Sequence, residues 1–260
     1  MIVNENMIFD THAHYDDEAF ENDREEVLNF LKNNNVCGII NAGTDIKSSE
    51  KVLELAKKWD FIYPALGIHP ENLDDSCDCE DLISELRNLI LNNKNVVAVG
   101  EIGLDYHFRN DNKELQKHIF ENQIELANEL GLPVTVHDRE AHADTMQILK
   151  KYSPKGVVHC FSGSLEMANE VIKLGMYIGI GGVVTFKNAK TIIDVVKNIS
   201  LEKIVLETDA PYMSPTPFRG KRCTSDLIKY TAEKIAEIKG ISVDEVLETT
   251  KETAIKLFKI

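Results

Sequence analysis

Short apolar runs alternate along the whole chain with longer stretches in which apolar residues recur every three or four positions. The runs are Met7–Phe9, Val36–Ile40, Tyr63–Leu66, Val96–Val99, Pro133–Val136, Val157–Val158, Met176–Ile180 and Ile204–Leu206. They are brief and rich in Val and Ile, as strands buried on both faces of a parallel sheet are. The stretches between them read as amphipathic helices. Phe20, Val27, Leu28 and Leu31 fall on one face of the first, and Leu115, Ile119, Leu126 and Leu130 on one face of the fourth. Asp16 and Asp17 offer N-caps before Phe20, and Gly131-Leu-Pro133 stops the fourth helix.

Strand candidates that are each followed by a helix predict an α/β protein, a single-domain (β/α)8 TIM barrel. An open doubly wound sheet shares the alternation, but no Gly-x-Gly-x-x-Gly opens a helix here. No linker, repeat or low-complexity tract divides the chain. Residues 1–6 read as an N-terminal extension and 7–260 as the barrel. Within it, 241–260 read as an extra C-terminal helix through Val243, Val246, Leu247, Ala254, Leu257 and Phe258.

Composition adds limits. At 260 residues, 43% hydrophobic and 28% charged, the chain can bury a large core without staples and is unlike a disordered one. No apolar run approaches the ~18 residues of a membrane helix. The start, Met1-Ile-Val-Asn-Glu-Asn6, lacks a basic region followed by an apolar one, so a cytoplasmic location is expected. The net charge of −14 argues against a protein that coats duplex through a broad basic face. A small site whose cations reverse the local sign stays open. Five cysteines, an odd number, do not make a disulfide framework. Cys77 and Cys79 are too few for a structural zinc site and read as surface thiols.

The chemistry falls at the ends of the runs. The first leads into Asp10-Thr-His12-Ala-His14, the fourth into Glu101, the fifth into His137, the sixth into His159 and the eighth into Asp209. A barrel gathers these ends on one rim, where active sites are built. His12 and His14 lie two apart, so both rings point to one side of a strand. Alone, each residue has a bland reading as a hydrogen-bonded structural group. Together they form an imidazole and carboxylate set suited to Zn²⁺, Mn²⁺, Fe²⁺ or Ni²⁺. His118 and His142 fall in helix patterns and read as solvated.

The motifs Phe9-Asp-Thr-His-Ala-His14, Gly67-Ile-His-Pro70, Gly100-Glu-Ile-Gly-Leu-Asp-Tyr106, His137-Asp-Arg-Glu-Ala141, His159-Cys-Phe-Ser-Gly163 and Glu207-Thr-Asp-Ala-Pro-Tyr212 stand in one order along the chain. With Arg219-Gly-Lys-Arg222 they closely resemble the TatD family of metal-dependent deoxyribonucleases, barrels of the amidohydrolase-like kind. The likeness covers essentially the whole chain. One departure is Cys223-Thr-Ser225, where the family usually carries an Asn-x-Pro type segment.

The resemblance implies two divalent metals (Zn, Mn, Mg, Fe or Ni). His12, His14 and Asp209 would hold one, His137 and His159 the other, and Glu101 would bridge both. It also implies Glu101 and Asp209 as catalytic residues, with Asp209 accepting a proton from attacking water. A bridging anion agrees with the about 3.5–4 Å between paired cations. Less specific are His69, as a phosphate contact or proton donor, and Tyr106 and His107, as a stacking surface for a base. Arg139, Arg219, Lys221 and Arg222 are candidate phosphate contacts. The expected partner is DNA, at single-stranded ends, with no membrane and no obligate protein partner. An amidohydrolase cleaving C–N or C–O bonds of a small metabolite uses similar ligands and is the alternative. A non-catalytic binding barrel is opposed by the full ligand set.

Overall fold

The computed structural model describes residues 8–73 and 79–260. Among the described residues, eight parallel strands lie in sequential order around a nearly closed barrel. They are β1 (Ile8–Ala13), β2 (Val36–Ala42), β3 (Ile62–Leu66), β4 (Ala98–Asp105), β5 (Val134–Arg139), β6 (Gly156–Val158), β7 (Tyr177–Ile180) and β8 (Ile204–Leu206). The TIM-barrel expectation is met. The doubly wound alternative is overturned, because the strand order never reverses. The seam between the last strand and the first is closed beyond β8: Ala13 bridges Ala210, and the Asp209 N–H donates to the His12 carbonyl at 2.9 Å.

Helices α1 (Arg24–Lys32), α2 (Ile46–Lys58), α3 (Cys79–Asn92) and α4 (Lys113–Leu130) follow the first four strands. Helices α5 (His142–Tyr152), α6 (Leu165–Lys173), α7 (Lys190–Asn198) and α8 (Ile228–Lys239) follow the others. Apolar faces of these helices pack on the strands to form the main core. Gly131, at φ 66°, ends α4 in the left-handed conformation that glycine adopts without a Cβ penalty.

The extra helix is present as α9 (Val243–Phe258), capped by Ser242, whose hydroxyl accepts from the Glu245 N–H. Its Ala254, Leu257 and Phe258 join Phe9, Ile40, Ala65, Ala98, Val157 and Val205 in a second, smaller apolar cluster. So α9 seals the end of the barrel opposite the functional rim. Gly38 makes room for this packing, since a Cβ there would stand 2.2 Å from the Phe9 ring.

Several elements differ from the sequence reading. β1, β4 and β5 run past their apolar runs, to Ala13, Asp105 and Arg139, so His12, Glu101 and His137 sit within strands. Phe20 belongs to a short 3-10 turn (Glu18–Phe20) rather than to α1. Asp17 caps that turn, accepting from the Ala19 N–H at 2.7 Å. Asp16 is no cap: it is buried and accepts from Asn41 and Ser48 at 2.8 and 2.7 Å. Cys79 is half-buried against the core rather than on the surface, because it opens α3. Cys77 and residues 1–6 lie outside the described residues. No described helix is long and apolar enough to cross a membrane.

Candidate active site

Glu101 is the centre of the rim. It is 3% exposed, and its two oxygens face opposite ways. Oε2 lies 3.2 Å from His12 Nε2 and 3.3 Å from His14 Nε2. Oε1 lies 2.8 Å from His137 Nδ1, 2.7 Å from His159 Nε2 and 3.4 Å from His69 Nε2. Asp209, with φ 67°, turns its carboxylate over the first pair, 3.8 Å from His12 and 3.5 Å from His14. β1, β4 and β5 supply three of these residues, and the segments just past β1, β6 and β8 the other ligand candidates.

The donor set fits a cation. His12 Nε2 and His14 Nε2 face each other at 3.1 Å. Ligand atoms about 2.0–2.1 Å from a tetrahedral metal stand roughly 3.3 Å apart. The separations among His12, His14, Glu101 and Asp209 bracket that value, at 3.1, 3.2, 3.3, 3.5 and 3.8 Å. His12, His14 and Asp209 can therefore hold a metal, as can Glu101 with His12 and His159.

Neighbours fix which nitrogen carries a lone pair. The His14 Nδ1–H donates to the Ala42 carbonyl at 2.8 Å, which leaves Nε2 free to ligate. The His137 Nε2–H donates to Asp105 at 2.9 Å, which leaves Nδ1 free. His69 is the reverse case. Its Nδ1 accepts the Glu71 N–H at 3.2 Å, so the proton of the neutral ring is on Nε2 and the ring faces Glu101 as a donor. His69 stands near enough to Glu101 and His137 to be a ligand, but its tautomer opposes that role.

Electrostatics follow from this packing. Burial opposes charge on His137, but hydrogen bonds to Asp105 and Glu101 outweigh it and lift the ring to about 10. Burial likewise opposes charge on His14, yet Asp209 and Glu101 hold it well above its ordinary value. His12, desolvated and beside His159, drops to about 4. Burial would raise Glu101, but His159, His69 and His12 pull it well below the carboxylate range.

Behind these side chains lie groups that the sequence alone does not single out. Asp10 is fully buried and accepts from the His12 N–H at 3.1 Å, the Thr208 N–H and hydroxyl at 3.0 and 2.6 Å, and the Ser225 hydroxyl at 2.6 Å. It ties β1 to the segment carrying Asp209 and to Ser225, within the stretch that departs from the family. Burial pushes it up to about 6 against those hydrogen bonds. Glu207 sits under the site, accepts the Cys160 N–H, and is pushed up by burial to about 8. Asp10 and Glu207 belong to the motifs at the ends of β1 and β8, but sequence order does not show what they bond across the barrel.

The loops place the remaining candidates. Tyr106 donates its hydroxyl to Asp144 at 2.6 Å, with Lys113 Nζ 4.2 Å from its ring centre. His107 pairs with Glu140 at 2.8 Å. Neither lines the cavity over Glu101; Phe108, 63% exposed, does, together with Tyr212 and Arg139. Arg139 has no ion pair among the described residues, and its guanidinium lies 5.8 Å from the Phe108 ring centre. Arg222 is occupied: its fork holds Asp23 at 2.8 and 2.5 Å and the Ala19 carbonyl at 2.6 Å. Arg219 lies over Phe186 and Lys221 over Phe218, and neither lines the cavity. His118 is exposed, as expected, whereas His142 is half-buried and paired with Asp138 at 2.7 Å.

A parallel barrel with imidazoles and carboxylates gathered at its C-terminal rim defines a metal-dependent hydrolase of the amidohydrolase-like fold. Residues 9–259 match the model of the TatD related DNase family, and the chain belongs to that family. It is 43% identical to the metal-dependent hydrolase YabD of Bacillus subtilis, over 98% of this chain and all of that one. It is 34% identical to the metal-dependent hydrolase YcfH of Escherichia coli, over 97% and 96% of the two chains. The crystal structure of YjjV, a TatD homologue from Escherichia coli, superposes with a TM-score of 0.91 at 32% identity, covering 98% of each chain.

Proposed function

We propose that the protein is a divalent-metal-dependent deoxyribonuclease that removes nucleotides from single-stranded DNA ends. The observation that carries this is the division of Glu101, one oxygen toward His12 and His14, the other toward His137 and His159. Such a carboxylate suits a pair of cations, His12, His14 and Asp209 holding one and His137 and His159 the other. When bound, the cations supply Lewis acidity at phosphoryl oxygens and lower the pKa of water toward about 7.

The chain's own groups supply the rest. Asp209, beside His12 and His14, accepts the proton of the attacking water. His69 presents its Nε2–H to the space over Glu101 and donates to a phosphoryl oxygen or to the leaving alkoxide. Arg139 at the mouth offers a planar fork to phosphate. Phe108 and Tyr212 offer exposed rings on which unpaired bases stack. The net charge of −14 disfavours long duplex contacts and suits a small site that meets an end.

One observation favours the small-metabolite amidohydrolase as second reading: of the basic candidates, Arg139 alone lines the cavity. End-labelled single- and double-stranded oligonucleotides, each incubated with single divalent metals, test both readings against a panel of amides. Stepwise shortening of the single strand is expected. Turnover of amides with intact DNA would overturn the nuclease reading.

A further inference from the structure

A second cavity adjoins the one over Glu101. It shares His137, Arg139, His159, Asp209 and Met213 with the cavity over Glu101, and it has a volume of about 390 Å³. Much of its wall is apolar: Phe161 after β6, Ile180 at the end of β7, Val184 in the turn that follows and Ile192 in α7 are buried side chains. Ser162, Asn188 and Thr191 add neutral donors and acceptors.

Charge narrows the occupant. Arg139 is the one Lys or Arg among the described residues around this cavity, and it also lines the cavity over Glu101. Asp138 also borders it, but its carboxylate is turned to His142 at 2.7 Å and is 3% exposed. No second phosphate is provided for here. An uncharged ring is, with its polar edge toward side-chain amide and hydroxyl groups and its phosphate at Arg139.

We propose that this cavity is a nucleoside subsite, which takes the base and sugar of the terminal nucleotide while the adjoining phosphate lies at the ligand cluster. The proposal rests on the nuclease reading and deepens it. A cavity of this size is at the small end of ligand pockets, about 300–1,000 Å³, and has room for one nucleoside. One such place beside the cluster fits release of one nucleotide at a time.

The test uses metal-loaded protein and short oligonucleotides whose terminal base, at either end, is replaced by hydrogen. In the wild type, one of the two abasic ends is expected to lower kcat/KM by roughly tenfold or more, the scale of one stacked base. Val183→Trp narrows the cavity from a half-buried position, and Ser162→Trp does so from an exposed one that tolerates the change in folding. Both should shrink the ratio of base-bearing to abasic rates toward one. Cleavage that ignores the base in the wild type overturns the subsite and leaves the nuclease standing. If no phosphodiester is cut, the nuclease reading fails, and calorimetry decides the subsite. A deoxynucleoside 5′-monophosphate binding about tenfold more tightly than deoxyribose 5-phosphate supports it, and equal binding overturns it.

Discussion

The floor of the rim and its loops are built on different principles. On the floor, His12, Glu101 and His137 are strand residues: His137 pairs with Gly103 of β4, the His12 carbonyl accepts from Asp209 just past β8, and the Glu101 N–H donates to Gly43 just past β2. In the loops, direction is set by whichever partner lies within reach. Arg222 turns to Asp23, His107 to Glu140 and Tyr106 to Asp144, all away from the cavity. Strands fix where a side chain points before any ligand arrives, whereas an exposed loop side chain can exchange a local partner for a substrate at the cost of a weak ion pair. Chemistry that needs sub-ångström placement therefore belongs on the floor, and substrate selection belongs to the loops.

The largest effects should follow from breaking the floor. Chelation should abolish turnover and lower Tm while leaving the barrel folded, since α9 and the apolar cores do not include the ligands. A metal at a hundred times its Kd stabilises by about 2.7 kcal/mol, which a thermal melt with and without chelator reads. Glu101→Gln keeps the shape but loses the negative charge placed between the two sets of imidazoles. Turnover is expected to fall at least ~10²-fold with an unchanged circular dichroism spectrum. Near wild-type turnover would remove Glu101 from the centre of the site.

Asp105 joins the two regions. One oxygen fixes the His137 tautomer at 2.9 Å, and the other accepts the His107 and Phe108 N–H groups at 2.9 and 2.8 Å. Burial works against its ionisation, yet the His137 and backbone hydrogen bonds bring it down to about 2. Asp105→Ala should weaken metal binding, and with it activity, by roughly 10–100-fold, as measured by metal titration. Asp105→Asn retains an acceptor and should lose less. Phe108→Ala and Tyr212→Ala touch the loops alone. Each should raise KM for a single strand by several-fold, the weaker end of base stacking, with kcat nearly kept. A fall in kcat of the same size would place these rings at the chemistry instead.

This division also explains what was legible in the sequence. Apolar runs with polar residues just beyond them announced the barrel and brought His12, His14, Glu101, His137, His159 and Asp209 to one rim, because parallel-strand order fixes rim position. Asp10 was invisible as a clamp, since its partners Thr208 and Ser225 lie about two hundred residues away in sequence. Phe108 was missed by one position: periodicity ends where β4 ends, and the turn held by Asp105 decides which of Tyr106, His107 and Phe108 meets the cavity. The bound of α1 failed for a similar reason, because Phe20 keeps its place in the core while the chain around it forms a 3-10 turn.

The smallest effect is expected at Arg222, and it tests the comparison most sharply. Its guanidinium holds Asp23 through two hydrogen bonds and lies 4.8 Å from the Phe20 ring centre, tying the loop after β8 to the turn after β1. Both partners are about a third exposed, so solvent screens the pair and its loss should cost no more than about 1 kcal/mol. The pH dependence has a definite sign. Hydrogen bonds from Arg222 hold the Asp23 carboxyl below its ordinary value. The stabilisation is therefore present above that ordinary value, about 3.9, and is lost as pH falls through the lowered one. The Tm difference between wild type and Arg222→Ala should be small at neutral pH and vanish in acid. If Arg222 is an anchor only, KM for an oligonucleotide and its salt dependence stay as they are. If it leaves Asp23 to grip phosphate when DNA binds, KM rises and the salt slope flattens by about one counterion, while Tm at neutral pH shifts as before. The second result would show that a partner seen in the free protein does not hold a loop cation against a substrate, and that the separation between floor and loops is one of timing rather than of place.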